Sequence, residues 1–311
     1  MEDYYIKVIN QKTAHQVLQL QELILEESIS FYKARNIHWL SAPITTGSIS
    51  SPMGLGSDSL PVRISLDGVE TYLADSMQFL LEYGCRFFKT GCWYIMPSFR
   101  GEAVDERHLK QFFHSEAEIP GTLEDVMNLA EDYIKHLIVK SQTIIGRKDY
   151  LERVVKCDFA RVSFDDIEPL LEKKDIVHEG GWRNLTKRGE KKLIEYFGKP
   201  VWVHHYDEMA VPFYQKTENN KAKNADLLMG IGETIGCGER LVDGSEVRKA
   251  LRSRQVSEDD YDWYIKMKEE FPMQTSGFGM GIERFLLFIL GETDIRKMQV
   301  FRRFNDGKDI V

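Results

Sequence analysis

Cysteine is scarce and scattered. Cys85, Cys92, Cys157 and Cys237 are the four in 311 residues, and none falls in CxxC spacing, so neither a zinc site nor a disulfide framework is indicated. No run of about 18 apolar residues occurs, so a membrane-spanning helix is not expected. The opening Met1-Glu-Asp-Tyr-Tyr lacks the basic and apolar pattern of a secretory signal, which leaves the cytoplasm as the expected compartment. Positive charge is in deficit as well. With 41 Lys and Arg against 49 Asp and Glu, the formal net charge of −8 argues against broad, nonspecific nucleic-acid binding, though a local basic groove is compatible with it.

What is present suits a globular protein with a large core: 42% of the residues are hydrophobic and 29% charged. Val17, Leu18, Leu20, Leu23, Ile24 and Ile29 recur near helical spacing and predict an amphipathic helix over 13–35. A short strand at Ile37-His-Trp-Leu should follow and end at Pro43. Residues 44–60 are rich in Ser and Gly and read as a mobile loop, a candidate lid. Tyr72–Glu82 is expected to be helical, Cys92–Phe99 to be a buried strand and Leu123–Lys140 a helix. Phe164–Leu171 reads as a short helix, Val201–Val203 and Leu227–Ile235 as strands, and Phe285–Leu290 as an apolar helix. Strands and helices intermix without a dominant crossover pattern. The expected class is therefore α+β, a mixed, mainly antiparallel sheet flanked by helices, in one domain over 1–311 with a possible insertion within 141–200.

Two segments carry the chemistry. Gly277, Gly279 and Gly281 precede Glu283-Arg284, which places flexible backbone and a guanidinium fork beside a helix start, a combination that suits phosphate. No Gly-Lys-Ser/Thr follows, so this is not a Walker loop. Phe99-Arg100-Gly-Glu102, then Arg107-His108 and Phe112, then Glu116-Ala-Glu118, would bring cations and an aromatic ring to a nucleotide from a strand, a polar loop and a returning strand. Of the remaining candidates, His204-His205 should face opposite sides of a strand. Glu172–Asp175 reads as a solvated charged run, and Cys237 as a packing residue.

FRGEAVDERHLKQFFHSEAEI resembles motif 2 of the class II aminoacyl-tRNA synthetases of asparaginyl type, and GFGMGIERFLLFILG is similar to their motif 3. The helix and strand over 13–43 have the shape of motif 1, the family's dimer interface. Ala74-Asp-Ser76-Met-Gln78, Lys199-Pro-Val-Trp-Val, Pro212-Phe-Tyr214 and Asp226–Arg240 extend the resemblance over roughly residues 10–305. It implies the α+β class II synthetase fold, a homodimer, and ATP and Mg²⁺ as cofactors. Residue by residue, it implies that Arg100 bridges the α-phosphate and the attacking carboxylate and that Arg284 holds the far end of ATP. Glu102 and Gly281 join the ATP site, Arg107 and His108 meet the outer phosphates, and Phe112 stacks on adenine. Asp226 and Glu233 would bind Mg²⁺, Glu233 belonging also to the ATP site. Ser76, Gln78 and Glu116 would hold the amino acid by its ammonium group, and Arg240 its side-chain carbonyl or carboxylate.

Three departures bear on the acceptor. The motif 1 helix starts almost at residue 1, so no anticodon-binding barrel is expected. Leu81 stands where aspartate-specific relatives have a lysine. Glu269-Glu-Phe-Pro-Met-Gln274-Thr275 replaces the family's Arg-Tyr-Gly…Pro-His pattern. In plan the chain is similar to the archaeal and the bacterial ammonia-dependent asparagine synthetases. The expected activity is thus adenylation of an aspartate- or asparagine-like carboxylate and transfer to ammonia or a small amine, with tRNA not expected as a partner. A truncated paralogue aminoacylating tRNA or a protein is the alternative, and a non-catalytic regulator a further one.

Overall fold

A computed structural model describes residues 4–50 and 59–302. Of the expected lid over 44–60, residues 51–58 lie outside the described residues; near its start is a short strand, Thr45–Thr46. The 13–35 pattern forms α1 (Lys12–Ala34), which buries Val17, Leu20, Ile24 and Phe31. After β1 (His38–Trp39) come α2 (Gln78–Phe87), β2 (Cys92–Phe99), β3 (Gln111–Pro120) and α3 (Leu123–Ile145). Thr122 and Asp125 close a reciprocal capping box at the start of α3, which satisfies two otherwise orphaned N–H groups. α4 (Asp149–Lys156), β4 (Ala160–Ser163), α5 (Lys187–Phe197) and β5 (Val201–His204) follow. β6 (Asn224–Met229), β7 (Gly232–Glu239), α6 (Gly244–Ser253), α7 (Asp262–Glu270), β8 (Thr275–Gly281) and α8 (Ile282–Leu290) complete the frame.

Eight strands form one sheet in the order β1-β2-β3-β8-β7-β6-β5-β4. The two outer pairs, β1 with β2 and β5 with β4, are parallel, and every pair between them is antiparallel. The expected mixed, mainly antiparallel sheet is what the chain folds into. One face carries the large core, in which α1, α3 and α8 pack on Trp93, Ala117, Leu227, Ile235, Cys237, Phe278 and Met280. Side chains alternate across a strand, so the residues between these point to the opposite face. No helix among the described residues is long and apolar enough to cross a membrane.

Several local expectations are corrected. Tyr72 lies in a strand, Val69–Leu73, and the helix begins only at Gln78, because Val69, Thr71 and Tyr72 pair in a hairpin with Val62–Leu66. Leu227–Ile235 is two strands, broken by Gly230 in the left-handed region at φ 64°. His204 and His205 do not face apart. The strand ends at His204, His205 turns to φ 60°, and the two Nδ1 atoms lie 2.5 Å apart. In the charged run, Asp175 is fully buried and accepts Lys192 Nζ at 3.1 Å, so only its neighbours are solvated.

Candidate active site

The open face of the sheet holds the candidate residues, and register explains how. β3 and β8 pair so that His114, Glu116 and Glu118 stand opposite Gly281, Gly279 and Gly277. Each acid side chain therefore leans across a position that has no side chain. A Cβ on Gly279 would come 2.8 Å from Glu116 Oε1, and one on Gly277 would come 2.8 Å from Arg240 Nη2 and collide with Glu118. Gly236 and Gly238 of β7 lie beside Gly279 and Gly277 in the next strand pair. The sequence reading has Gly277, Gly279 and Gly281 give flexible backbone at a helix start. In the structure Gly281 is the N-cap of α8 and, with Gly279, lines the cavity around Arg100 and Arg284, while Gly277 and Gly279 also make room for Glu118 and Glu116.

Two cavities open on this floor. The first is lined by Arg100, Arg107, His108, Phe112, His114, Glu233, Gly281 and Arg284, among others. It brings together almost all the nucleotide-side residues read from the sequence. Arg100 lies over Phe112 with its guanidinium carbon 5.4 Å from the ring centre, and Arg284 Nη1 donates to the Glu233 carbonyl at 2.6 Å. Burial lowers the basicity of Arg284, and Arg107 and Arg100 add repulsion, so the cluster is built for an anion. The Nε atoms of Arg100 and Arg107 are buried with no hydrogen-bond partner. Glu102 borders this set, its Oε1 3.9 Å from Arg100 Nη1. It accepts the Leu60 N–H at 3.0 Å and lies outside the lining of both cavities.

The second cavity, about 300 Å³, is lined by Ser76, Gln78, Glu116, Glu118, Tyr214, Asp226, Glu233 and Arg240 among others. Arg100, His114, Glu233 and Gly279 line both cavities, so the two meet at Arg100. Glu116 accepts Ser76 Oγ at 2.7 Å and is also bonded to Tyr94 Oη. Burial pushes its carboxyl up to about 7. His114 Nδ1 lies 3.3 Å from Glu116, but burial, reinforced by Arg100, holds that imidazole down to about 3, so it is a neutral neighbour. Arg240 grips Glu118 through Nε at 3.2 Å and Nη2 at 3.1 Å and donates Nη1 to Gln215 at 3.2 Å, with Arg240 and Glu118 almost fully buried. Burial raises the Glu118 carboxyl and the facing guanidinium opposes it.

Asp226 and Glu233 come from β6 and β7 and converge above Gly236. A Cβ there would lie 3.1 Å from Glu233 Oε1 and 3.7 Å from Asp226 Oδ1. Burial and the Glu233 charge both raise Asp226. Two crowded carboxylates of hard oxygen fit a Mg²⁺ ion that shares its remaining positions with phosphates and water. Among the described residues no cluster of three or more His, Cys, Asp or Glu side chains is suited to a metal, so no all-protein cage is present.

Sequence reasoning left Glu118, Tyr94, Gln215 and Glu283 without roles. Glu118 was legible, because it repeats the Glu116 position two residues on along a strand. Glu283, beside Arg284, carries out a different task. Its carboxylate accepts the Phe113 N–H at 3.0 and 3.2 Å and so fixes β3 to α8, while burial pushes it up to about 7.

The family of tRNA synthetases class II (D, K and N) matches residues 1–305. The asparagine–tRNA ligase of Koribacter versatilis is 28% identical over 325 residues, covering 97% of this chain and 71% of that protein. The asparagine–tRNA ligase of Pyrococcus furiosus is 30% identical over 248 residues, 75% of this chain and 56% of that protein. Among solved structures, asparaginyl-tRNA synthetase from Pyrococcus horikoshii complexed with asparaginyl-adenylate superposes with a TM-score of 0.87 at 25% identity, covering 97% of this chain and 71% of that one. The chain thus spans a little over half to about seven-tenths of the length of these relatives. With an eight-stranded, mainly antiparallel sheet and a family match along nearly its whole length, the chain belongs to the class II tRNA synthetases.

Proposed function

We propose that this protein activates asparagine with ATP, forming asparaginyl-adenylate and pyrophosphate, and passes the asparaginyl group to tRNA. The observation that carries the activation step is the meeting of the two cavities at Arg100. A carboxylate in one cavity can there attack the α-phosphorus of a nucleotide in the other. The carboxylate oxygen forms the new P–O bond, and the bond to pyrophosphate breaks on the far side. No residue of the chain needs to act as nucleophile, and catalysis rests on alignment and charge.

The roles follow from position. Arg100 neutralises charge at the α-phosphate and carboxylate, Arg284, Arg107 and His108 face the outer phosphates, and Phe112 stacks on the base. Asp226 and Glu233 would hold Mg²⁺, which supplies charge neutralisation between phosphates when bound. Glu116, with Ser76 and Gln78, accepts the substrate ammonium. Asparagine is favoured over aspartate by the Glu118–Arg240 pair. An amide can give its N–H to Glu118 and its carbonyl to Arg240, whereas a second carboxylate would sit against Glu118 with the guanidinium already compensated. Leu81, fully buried, adds no cation.

Ammonia or a small amine is the acceptor expected from the sequence. The Koribacter and Pyrococcus relatives are named as ligases of tRNA, and they support the alternative reading instead. A second copy of the chain is proposed on the exposed side of α1, where Leu25, Ile29 and Trp39 are 47%, 49% and 59% exposed around an apolar groove. The deciding experiment is an amino-acid screen of ATP–pyrophosphate exchange, followed by charging of total tRNA with labelled asparagine. Exchange with asparagine and label retained on RNA are expected. Exchange without RNA label, but with amide formed from ammonia, would return the acceptor to a small amine.

A further inference from the structure

Glu190 is a charged residue that the activation chemistry leaves unused, yet it touches the nucleotide side of the site. It stands in the first turn of α5, behind the Thr186 cap, whose hydroxyl accepts the Gly189 N–H at 3.1 Å. Its carboxylate is paired with Arg107 Nη2, and the two side chains are 15% and 10% exposed. Lys187, from the same turn, reaches Asp105 at 3.1 Å. Asp105 in turn shapes the loop by accepting the N–H groups of Arg107 at 2.7 Å and His108 at 2.8 Å. Two ion pairs of opposite sense therefore fasten α5 to the loop that carries Arg107 and His108.

The pair lies directly on the backbone of Gly232, whose φ of 147° and lack of a side chain leave it room. A Cβ there would collide with both Glu190 and Arg107. Glu190 itself is outside the cavity lining, whereas Arg107 is in it. Arg107, Arg100 and Arg284 repel one another across the cavity, and Glu190 is among the charges that offset this.

We propose that Glu190 is a positioning residue that occupies Arg107 in the free protein as a stand-in for an outer phosphate, and that the triphosphate must displace it on binding. The inference rests on the reading of this cavity as a nucleotide site. The carboxylate keeps the loop's guanidinium aimed and desolvated before the nucleotide arrives. Its competition weakens binding in proportion to the outer phosphates a ligand carries. Exchanging this largely buried pair for a charge-assisted phosphate contact replaces one ion pair by another and shifts affinity modestly, by a factor of roughly three to ten.

Titration calorimetry of the full chain with ATP·Mg²⁺, pyrophosphate and AMP tests this, together with exchange kinetics. Glu190→Gln is expected to bind ATP and pyrophosphate roughly three- to tenfold more tightly and AMP as before. The KM for ATP should fall with kcat no higher and the KM for asparagine unchanged. Glu190→Asp, which keeps the charge, should bind ATP like the natural chain, and Lys187→Met, which cuts only the other tie, should not tighten binding. Unchanged or weaker ATP binding in Glu190→Gln overturns the proposal. So does equal tightening in Lys187→Met, since loosening the loop would then suffice. Failure of the natural chain to bind ATP at all would instead remove the nucleotide reading itself.

Discussion

At the scale of single residues, charge placed without water sets the chemistry. Arg100 stands where both cavities meet, so Arg100→Ala should abolish pyrophosphate exchange with every amino acid, a loss of at least about a hundredfold by analogy with deleting one preorganised donor. Arg240→Ala should spare nucleotide binding and impair exchange with asparagine selectively. Equal, modest losses in both variants would contradict the assigned roles. Glu116 gives a pH signature. Its buried carboxyl is raised to about 7, so at pH 6 most of it is protonated and cannot take an ammonium, while at pH 8 it is ionised. The KM for the amino acid should therefore fall between pH 6 and 8, and the steps of this dependence should vanish in Glu116→Gln. The same shift works against stability. A carboxyl raised on folding contributes fully below about 4.5, and its contribution fades as pH rises through 7. Much of this scale was legible in the sequence, because Arg100, Arg107, His108, Arg284 and Glu116 are local in motifs. The partner Gln215 was not, since it arrives from a segment with no spacing relation to those motifs, and Tyr94, on the strand leading into Arg100, becomes a partner only through the register that sets it opposite Glu116.

Among the elements, α2 and α7 are held behind the second cavity by a fully buried ion pair. Lys268 Nζ lies 2.6 Å from Glu82, and both are fully buried, with Tyr264 Oη also donating to Glu82 at 2.8 Å. Lys268→Met leaves that carboxylate uncompensated and should cost about 3–5 kcal/mol in urea unfolding, as breaking buried pairs does. The double variant Glu82→Gln with Lys268→Met should recover part of the loss, because it removes both charges together. No loss in the single variant would mean that the pair is dispensable. Sequence patterning found Cys92–Phe99 to the residue and α1 to within one at each end. It failed at Tyr72, where hairpin pairing overrode a helical reading, and at Leu227–Ile235, where an apolar run concealed the turn at Gly230. It took Asp175 for a surface residue because the burial of one acid under Lys192 and Arg188 is a tertiary fact.

For the whole molecule, α1 and β1 present an apolar surface that a single copy leaves in water. Ile29→Arg should shift the species seen by multi-angle light scattering from dimer to monomer with the fold retained by circular dichroism. A monomeric natural chain at micromolar concentration would remove the dimer from the proposal. The sheet class was readable from the interspersed strands and helices. Its order was not, because β8, late in the chain, inserts between β3 and β7 and so joins the two motif strands. That insertion is what makes distant sequence segments into one site.

The glycine floor also sets which changes the gene can accept. Positions 236, 238, 277 and 279 each lie under a different neighbour, so one added methyl presses on Glu233 at 3.1 Å or collides with Gln215, Glu118 or Glu116 in turn. The residues between them, Ile235, Cys237, Phe278 and Met280, face the core and need only their volume kept. Across both strands, tolerated and forbidden substitutions should alternate residue by residue. A saturation library selected for exchange activity would then draw the pleat of the sheet as a comb of permitted and excluded codons.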